Sequence, residues 1–152
     1  MTTRAGMDGY TLVEALIVLA ILTILAALAW PTYTGSLVRT RRTEGEVALI
    51  DALQKQELYR ARHNTYAVFS SDDEAPEDAE QHWWSGRDPA SSAYEIDARA
   101  CADGDIVDCV EVRARPGTAR VDRHFHDDAC GTLTLDSRGR QGATGAGPRC
   151  WP

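Results

Sequence analysis

The sequence predicts an α+β chain, and three observations predict it. An apolar run from Tyr10 to Trp30 leads into a helical pattern that reaches about His63. From Tyr94 onward the apolar residues recur with period two, the signature of strands. Four cysteines, Cys101, Cys109, Cys130 and Cys150, all fall in the last third of the chain. Together these describe a long N-terminal helix packed on a small antiparallel sheet, with a cysteine-closed C-terminal loop. At 152 residues the chain has the length of one domain.

The apolar run holds 21 residues, and Glu14 is the only charged one. As a helix it measures about 31 Å, enough to cross the hydrocarbon core of a bilayer. The flank MTTRAGMDG is short and polar, and the run is too long for the core of an ordinary secretory signal. A carboxylate in a spanning helix costs roughly 2.5–3.5 kcal/mol on insertion scales, so Glu14 needs a partner. A cut after Gly9 would give Tyr10 a free α-amine, and a neighbouring copy would present the same cation to Glu14. A plain membrane anchor with an incidental glutamate is the simpler alternative.

The stretch Gly9-Tyr10-Thr11-Leu12-Val13-Glu14 resembles the type IV prepilin N-terminus, in which a glycine, an aromatic, Thr-Leu, an aliphatic and a glutamate follow one another. Gly6 is a rival cut site, but the fifth residue after it is Thr11, whereas the fifth after Gly9 is Glu14. The resemblance implies that a prepilin peptidase removes residues 1–9 and methylates the Tyr10 amine. It also implies that residues 10–30 serve as membrane anchor and then filament core, and that residues 31–152 form the exported pilin domain. Tyr10 stands where the family usually has phenylalanine, and Asp8 precedes the glycine where family leaders tend to be basic.

Pro31 ends the apolar run and removes a helix donor, so a kink or local unwinding is expected there; Gly35 follows one turn on. Arg39, Arg41 and Arg42 come next, and three arginines beyond a spanning helix argue in general for a cytoplasmic end. The pilin resemblance implies the opposite orientation, and cysteines of disulfide type also require the bulk of the chain outside. Residues 36–62 read as a continuing amphipathic helix, with Val47, Ile50, Leu53, Leu58 and Ala61 on the apolar face and Glu46, Asp51, Lys55 and Arg62 elsewhere. Gly45 lies inside it at a cost of about 1 kcal/mol. The segment RRTEGEVALIDALQKQELYRARHNTYA also resembles pilins in which the helix ends in a tyrosine- and asparagine-containing turn. Both halves together would run about 80 Å, the shape of a filament subunit.

Residues 70–81 are acidic, contain proline and lack apolar period, so they read as a solvated loop. His82-Trp83-Trp84 follows, either an adhesive or subunit-contact patch or a lid folded over the sheet. Tyr94, Ile96, Ala98 and Ala100 alternate with charged residues in one strand, and Val110, Val112 and Ala114 alternate in a second. Gly104 sits in the turn between them, so the pair is predicted to be a hairpin stapled near its tip. Pro116-Gly117 breaks the chain, and 119–128 has no clear period. CGTLTLD offers a third strand with Leu133 and Leu135 on one face, and a glycine-rich loop runs from there to Cys150. That ending is similar to minor pilins of the PilE kind and to the related competence pilins that receive DNA; the resemblance does not extend to the middle, 67–93.

An even cysteine count behind an export-competent N-terminus indicates disulfides. Four cysteines allow three pairings; Cys101–Cys109 with Cys130–Cys150 closes the two local loops. No C-x-x-C spacing points to zinc. His124, His126, Asp127 and Asp128 form a candidate metal cluster, and Asp103, Asp105 and Asp108 a candidate calcium loop, though a polar turn and a solvated hairpin tip explain each equally. Ser91 and Ser92 lack a nucleophile context, and His63, His82, His124 and His126 carry no ordered spacing to a partner acid, so neither catalysis nor a cofactor is expected. The net charge of −7 disfavours nucleic acid as a partner of the whole surface. Arg113, Arg115, Arg120 and Arg123 are the one basic run of the exported part and the candidate DNA contacts, but Glu111, Asp122, Asp127 and Asp128 interleave with them.

The resemblance therefore implies a structural subunit, minor or priming, of a type IV pilus. Its expected partners are other pilin subunits, the prepilin peptidase and the assembly machinery of the inner membrane, with the cell-surface filament as destination. Two alternatives stand beside it: a DNA-receptor pilin for transformation, and a pseudopilin of type II secretion.

Overall fold

The computed structural model describes residues 11–152; the predicted cut at Gly9 and the Tyr10 amine lie outside the described residues. The first element is a helix, α1, Leu12–His63, whose assignment is continuous through Pro31 where local unwinding was expected. Its start is capped by Thr11, whose hydroxyl accepts the Glu14 backbone N–H at 3.3 Å. Its end is closed by Asn64, which adopts a left-handed φ of 57° and donates its N–H to the Arg60 carbonyl. The chain divides into two compact units at Leu37 and Val38. In the first, the large apolar side chains from Leu12 to Leu28 are exposed, and the helix is long and apolar enough to cross a membrane.

The second unit is built on a meander. Strands β1 (Tyr94–Ala100), β2 (Val110–Pro116), β3 (Leu133–Asp136) and β4 (Gln141–Ala143) pair antiparallel in the order β1-β2-β3-β4. β4 lies inside the stretch expected to be loop; three residues with two glycine-flanked positions carry too little period to announce a strand. Gly117 turns the chain after β2 with a φ of 59°, a conformation that favours glycine. The free edge of β1 is covered by the 65–93 segment, through bridges from Phe69 to Ala98 and from Trp84 to Glu95. An edge hydrogen-bonded in this way is withdrawn from pairing with other chains.

The core joins Leu49 and Ala52 of α1 to Tyr66, Phe69, Tyr94, Ile96, Val110, Val112 and Leu133. Of the predicted apolar face, Leu53 alone packs against this core. Val47, Ile50 and Leu58 are 59%, 46% and 60% exposed, whereas Arg42, Gly45, Glu46, Leu49, Ala52 and Gln56 are buried. Apolar spacing alone misjudged the side because the buried side is half polar: Arg42 and Gln56 answer partners outside the helix, and Glu46 is buried one turn from Arg42. Gln56 shows how: its amide donates to the Ala67 carbonyl at 2.7 Å and accepts the Ala67 N–H at 2.9 Å, pairing as a strand would. Trp83 packs on this core and Trp84 lies edge-on against it at 5.2 Å, which matches the lid reading.

Candidate functional site

Two regions carry the chemistry that the sequence singled out: the exposed apolar part of α1 with Glu14, and the arginine-rich faces of the second unit. Glu14 stands in the first turn of α1, where a carboxylate complements the helix dipole. Among the described residues it has no ion-pair partner. Thr23, the other polar side chain described deep in the run, satisfies its hydroxyl on the Ala20 carbonyl at 2.8 Å. Glu14 is therefore the one group in the described apolar segment whose needs the chain itself leaves open.

The candidate DNA contacts are spread along β2 and the following loop, and most are already engaged. Strand register sets Arg115 opposite Glu95, Arg113 opposite Asp97 and Glu111 opposite Arg99. The ion pairs follow that register: Arg115 to Glu95 at 2.8 Å, Arg113 to Asp97 at 2.6 Å, Arg99 to Glu111 at 2.8 Å. Arg115 Nε also reaches Asp97 Oδ1 at 3.0 Å. Glu95 and Asp97 are among the charged residues that alternate with the apolar ones of β1, and both side chains are only 4% exposed. Their cross-strand arginines lie over them, so the polar face of the hairpin is a closed charge ladder. Arg120 pairs with Asp72 of the acidic loop. Arg123 is exposed and has no ion pair among the described residues.

The residues of the candidate metal sets are divided among other tasks. Asp127 turns inward and accepts a bidentate fork from Arg42, both contacts 2.7 Å, together with the Tyr94 hydroxyl at 2.7 Å. Burial pushes the Asp127 carboxyl up, but the combined hydrogen bonds from Arg42, Tyr94 and the Cys130 N–H hold it below the usual carboxylate range. The hydrogen bond to Asp127 raises Arg42, and burial drives the Tyr94 hydroxyl far above its ordinary value. Glu46, buried one turn from Arg42, is raised by desolvation, with Arg42 opposing. His124 and His126 remain exposed. Asp103 is taken by Arg138 at 2.9 Å and Arg140 at 3.1 Å, while Asp105 caps its own loop through the Val107 N–H. Cys101, Cys109 and Asp136 cluster closely, but the two sulfurs are spent in a disulfide.

The cysteines pair as Cys101–Cys109, across the hairpin tip, and Cys130–Cys150, across the C-terminal loop. The second bond fixes a segment in which the Trp151 indole N–H donates to the Gly142 carbonyl at 2.9 Å. Sequence reasoning did not find the Arg42–Asp127–Tyr94 clamp, whose three members lie on three separate elements.

Comparison with known proteins adds the following. A family profile described as "Type IV minor pilin ComP, DNA uptake sequence receptor" matches residues 31–134. A second, described as "Prokaryotic N-terminal methylation motif", matches residues 5–30. The chain is 41% identical over 58 residues to the type IV wide pilus major component PilA4 of Thermus thermophilus. That match spans 38% of this chain and 44% of the relative. No solved structure matches the chain.

Proposed function

Since the chain belongs to the type IV minor pilin ComP family, we propose that it is a structural subunit of a type IV pilus, anchored in the membrane before assembly and held in the filament by its apolar helix. The observation that carries this reading is the exposed apolar segment of α1 with a single unpartnered acid, Glu14, in its first turn. A helical segment whose large apolar side chains from Leu12 to Leu28 all stand exposed needs lipid or other copies around it. Within the second unit, Val47, Ile50 and Leu58 are exposed on the side of α1 away from the sheet and offer a further apolar surface for packing between copies.

In this proposal a prepilin peptidase cuts after Gly9, the new Tyr10 amine is methylated, and Glu14 of one subunit meets that amine in the next. The pairing removes a buried lone charge from the assembly and fixes the axial register of neighbours. Pro31 marks the passage from the filament-core segment to the exported domain. Other pilins are the principal partners, and the cell-surface filament is the final location.

The test is the mass of the protein recovered from sheared filaments. A chain starting at Tyr10 with one added methyl is expected; a chain retaining Met1 would overturn the processing step. Glu14→Ala should remain in the membrane fraction and be lost from filaments. Ordinary incorporation of that variant would defeat the pairing.

A second reading, DNA reception, is favoured by the name of the matching family. The ion-paired state of Arg113, Arg115 and Arg120 weighs against a phosphate-binding strand, leaving Arg123 as the free member of the set. Salt-dependent retention of double-stranded DNA by the detergent-solubilised chain separates the two readings.

A further inference from the structure

One cleft of the second unit is lined by two arginines that have no ion pair among the described residues. It has a volume of about 350 Å³ and lies between α1 and the C-terminal segment, with Arg39, Arg149, Trp151, Pro148 and Glu46 among its walls. Arg42 also reaches it, but its charge is spent on Asp127. Arg39 and Arg149 are both exposed and have no ion pair among the described residues. Both backbones are fixed: Arg39 belongs to α1, and Arg149, at a left-handed φ of 59°, adjoins the Cys130–Cys150 bond. Two arginines anchored at set backbone positions beside an indole can receive carboxylates through charge-assisted hydrogen bonds.

The chain carries the complementary surface elsewhere. Asp73, Glu74, Glu77 and Glu80 are exposed on the acidic loop and have no ion pair among the described residues. Glu77 and Glu80 are presented by a 3₁₀ turn and border a second groove beside Lys55. Lys55 is itself taken by Asp51 at 2.8 Å. The two surfaces cannot meet within one molecule, because Arg39 and Lys55 are separated by sixteen helical residues, about 24 Å along α1.

We propose that the Arg39/Arg149 cleft receives Glu77 and Glu80 from the acidic loop of a second copy of this chain. The inference rests on the filament reading above and specifies one of its contacts. Because the two patches are different and lie at different levels of the helix, the contact is head-to-tail. A heterologous contact of this kind leaves a free cleft and a free loop at each end, and so propagates rather than closing into a dimer. It adds a polar, salt-sensitive bond between exported domains to the apolar packing of the helices.

Charge reversal tests it on the full chain in detergent. Arg39→Glu with Arg149→Glu gives a chain with acid on both surfaces, and Glu77→Arg with Glu80→Arg gives one with base on both. Arg149 and Glu80 both hold left-handed φ, so these exchanges between unbranched side chains leave the backbone cost unchanged. Each variant alone should sediment as a monomer, with association weakened about tenfold or more. The equimolar mixture should recover oligomers longer than dimers, and carbodiimide coupling of an Arg39→Lys, Arg149→Lys chain should map to Glu77 or Glu80 of an isotope-labelled copy. A mixture that stays monomeric, while the unaltered chain still enters filaments, would overturn the contact and leave the subunit reading standing. Loss of DNA retention in the arginine variant with self-association untouched would identify phosphate as the occupant and likewise overturn it. Absence of the unaltered chain from filaments would overturn the subunit reading itself.

Discussion

Gly45 of α1 lies against the ring of Tyr94 so closely that a Cβ on the glycine would stand 2.8 Å from the tyrosine Cδ2. Tyr94 is fully buried, and its hydroxyl is held by Asp127, so the ring is fixed at both ends. A residue read from sequence as a weak point in a helix is thus a place where helix and sheet approach closely.

Gly45→Ala is expected to destabilise the protein. Helix propensity alone favours alanine by about 1 kcal/mol, whereas overpacking a fixed core costs about 1–3 kcal/mol. The overlap wins because neither neighbour can retreat. A lower urea midpoint with unchanged slope is the expected result; a higher midpoint would mean that the ring has room to move.

The Arg42–Asp127 pair closes the same contact from the other side, with side chains 9% and 0% exposed. Asp127→Asn leaves a buried guanidinium with half its partner, and losses of about 3–5 kcal/mol are typical of a broken buried pair. The pH dependence follows from the depressed Asp127 carboxyl. Its contribution is complete above the unfolded value of about 3.9 and is lost as pH falls through the lower folded value. The gap between wild type and variant should therefore be widest at neutral pH and close in strong acid.

These residues also show what could be read from the sequence alone. The strands were legible because Ile96, Ala98, Val112, Leu133 and Leu135 keep period two with one buried face. The helix was legible in extent but not in orientation. Leu49 and Ala52 offer little apolar area, and the rest of the buried side is Arg42, Gly45, Glu46 and Gln56; Arg42, Gly45 and Gln56 are explained only by Asp127, Tyr94 and Ala67, which lie outside the helix. The arginines of β2 likewise read as a basic run in one dimension, while the antiparallel register converts them into pairs with Glu95 and Asp97. A run of charge in sequence says nothing of what lies across the strand.

Glu46 behaves in the opposite sense to Asp127. Desolvation raises its carboxyl above the unfolded value, with the Arg42 charge opposing and the Asp127 charge reinforcing. A raised acid contributes stability below its unfolded pKa of about 4.3 and forfeits it as pH rises through the folded value. Glu46→Gln, which removes the ionisation and keeps the shape, should raise the urea midpoint at pH 7 and make no difference below about pH 4. A loss of stability at pH 7 would show that the Glu46 charge is held favourably by Arg42.

The two disulfides should differ in worth, because they close loops of different length. Cys101 and Cys109 are 8 residues apart, Cys130 and Cys150 are 20 apart. Chain-entropy arguments assign about 2.5 kcal/mol to the shorter loop and about 3.3 kcal/mol to the longer. The structure widens this difference. The hairpin tip is already held by the β1–β2 ladder, so losing the first bond frees a turn that backbone pairing still closes. Beyond β4, the C-terminal segment is held by the Gly145 and Gly147 N–H groups on the Cys130 and Ala129 carbonyls and by the Trp151 indole bond, a shorter ladder than β1–β2, so losing the second bond loosens that segment and one wall of the Arg39/Arg149 cleft. Cys130→Ser with Cys150→Ser should therefore lower the urea midpoint more than Cys101→Ser with Cys109→Ser, and should alone expose residues 145–152 to protease. Equal losses and equal protease patterns would mean that the sheet edge at β4 holds the C-terminal segment without the covalent bond.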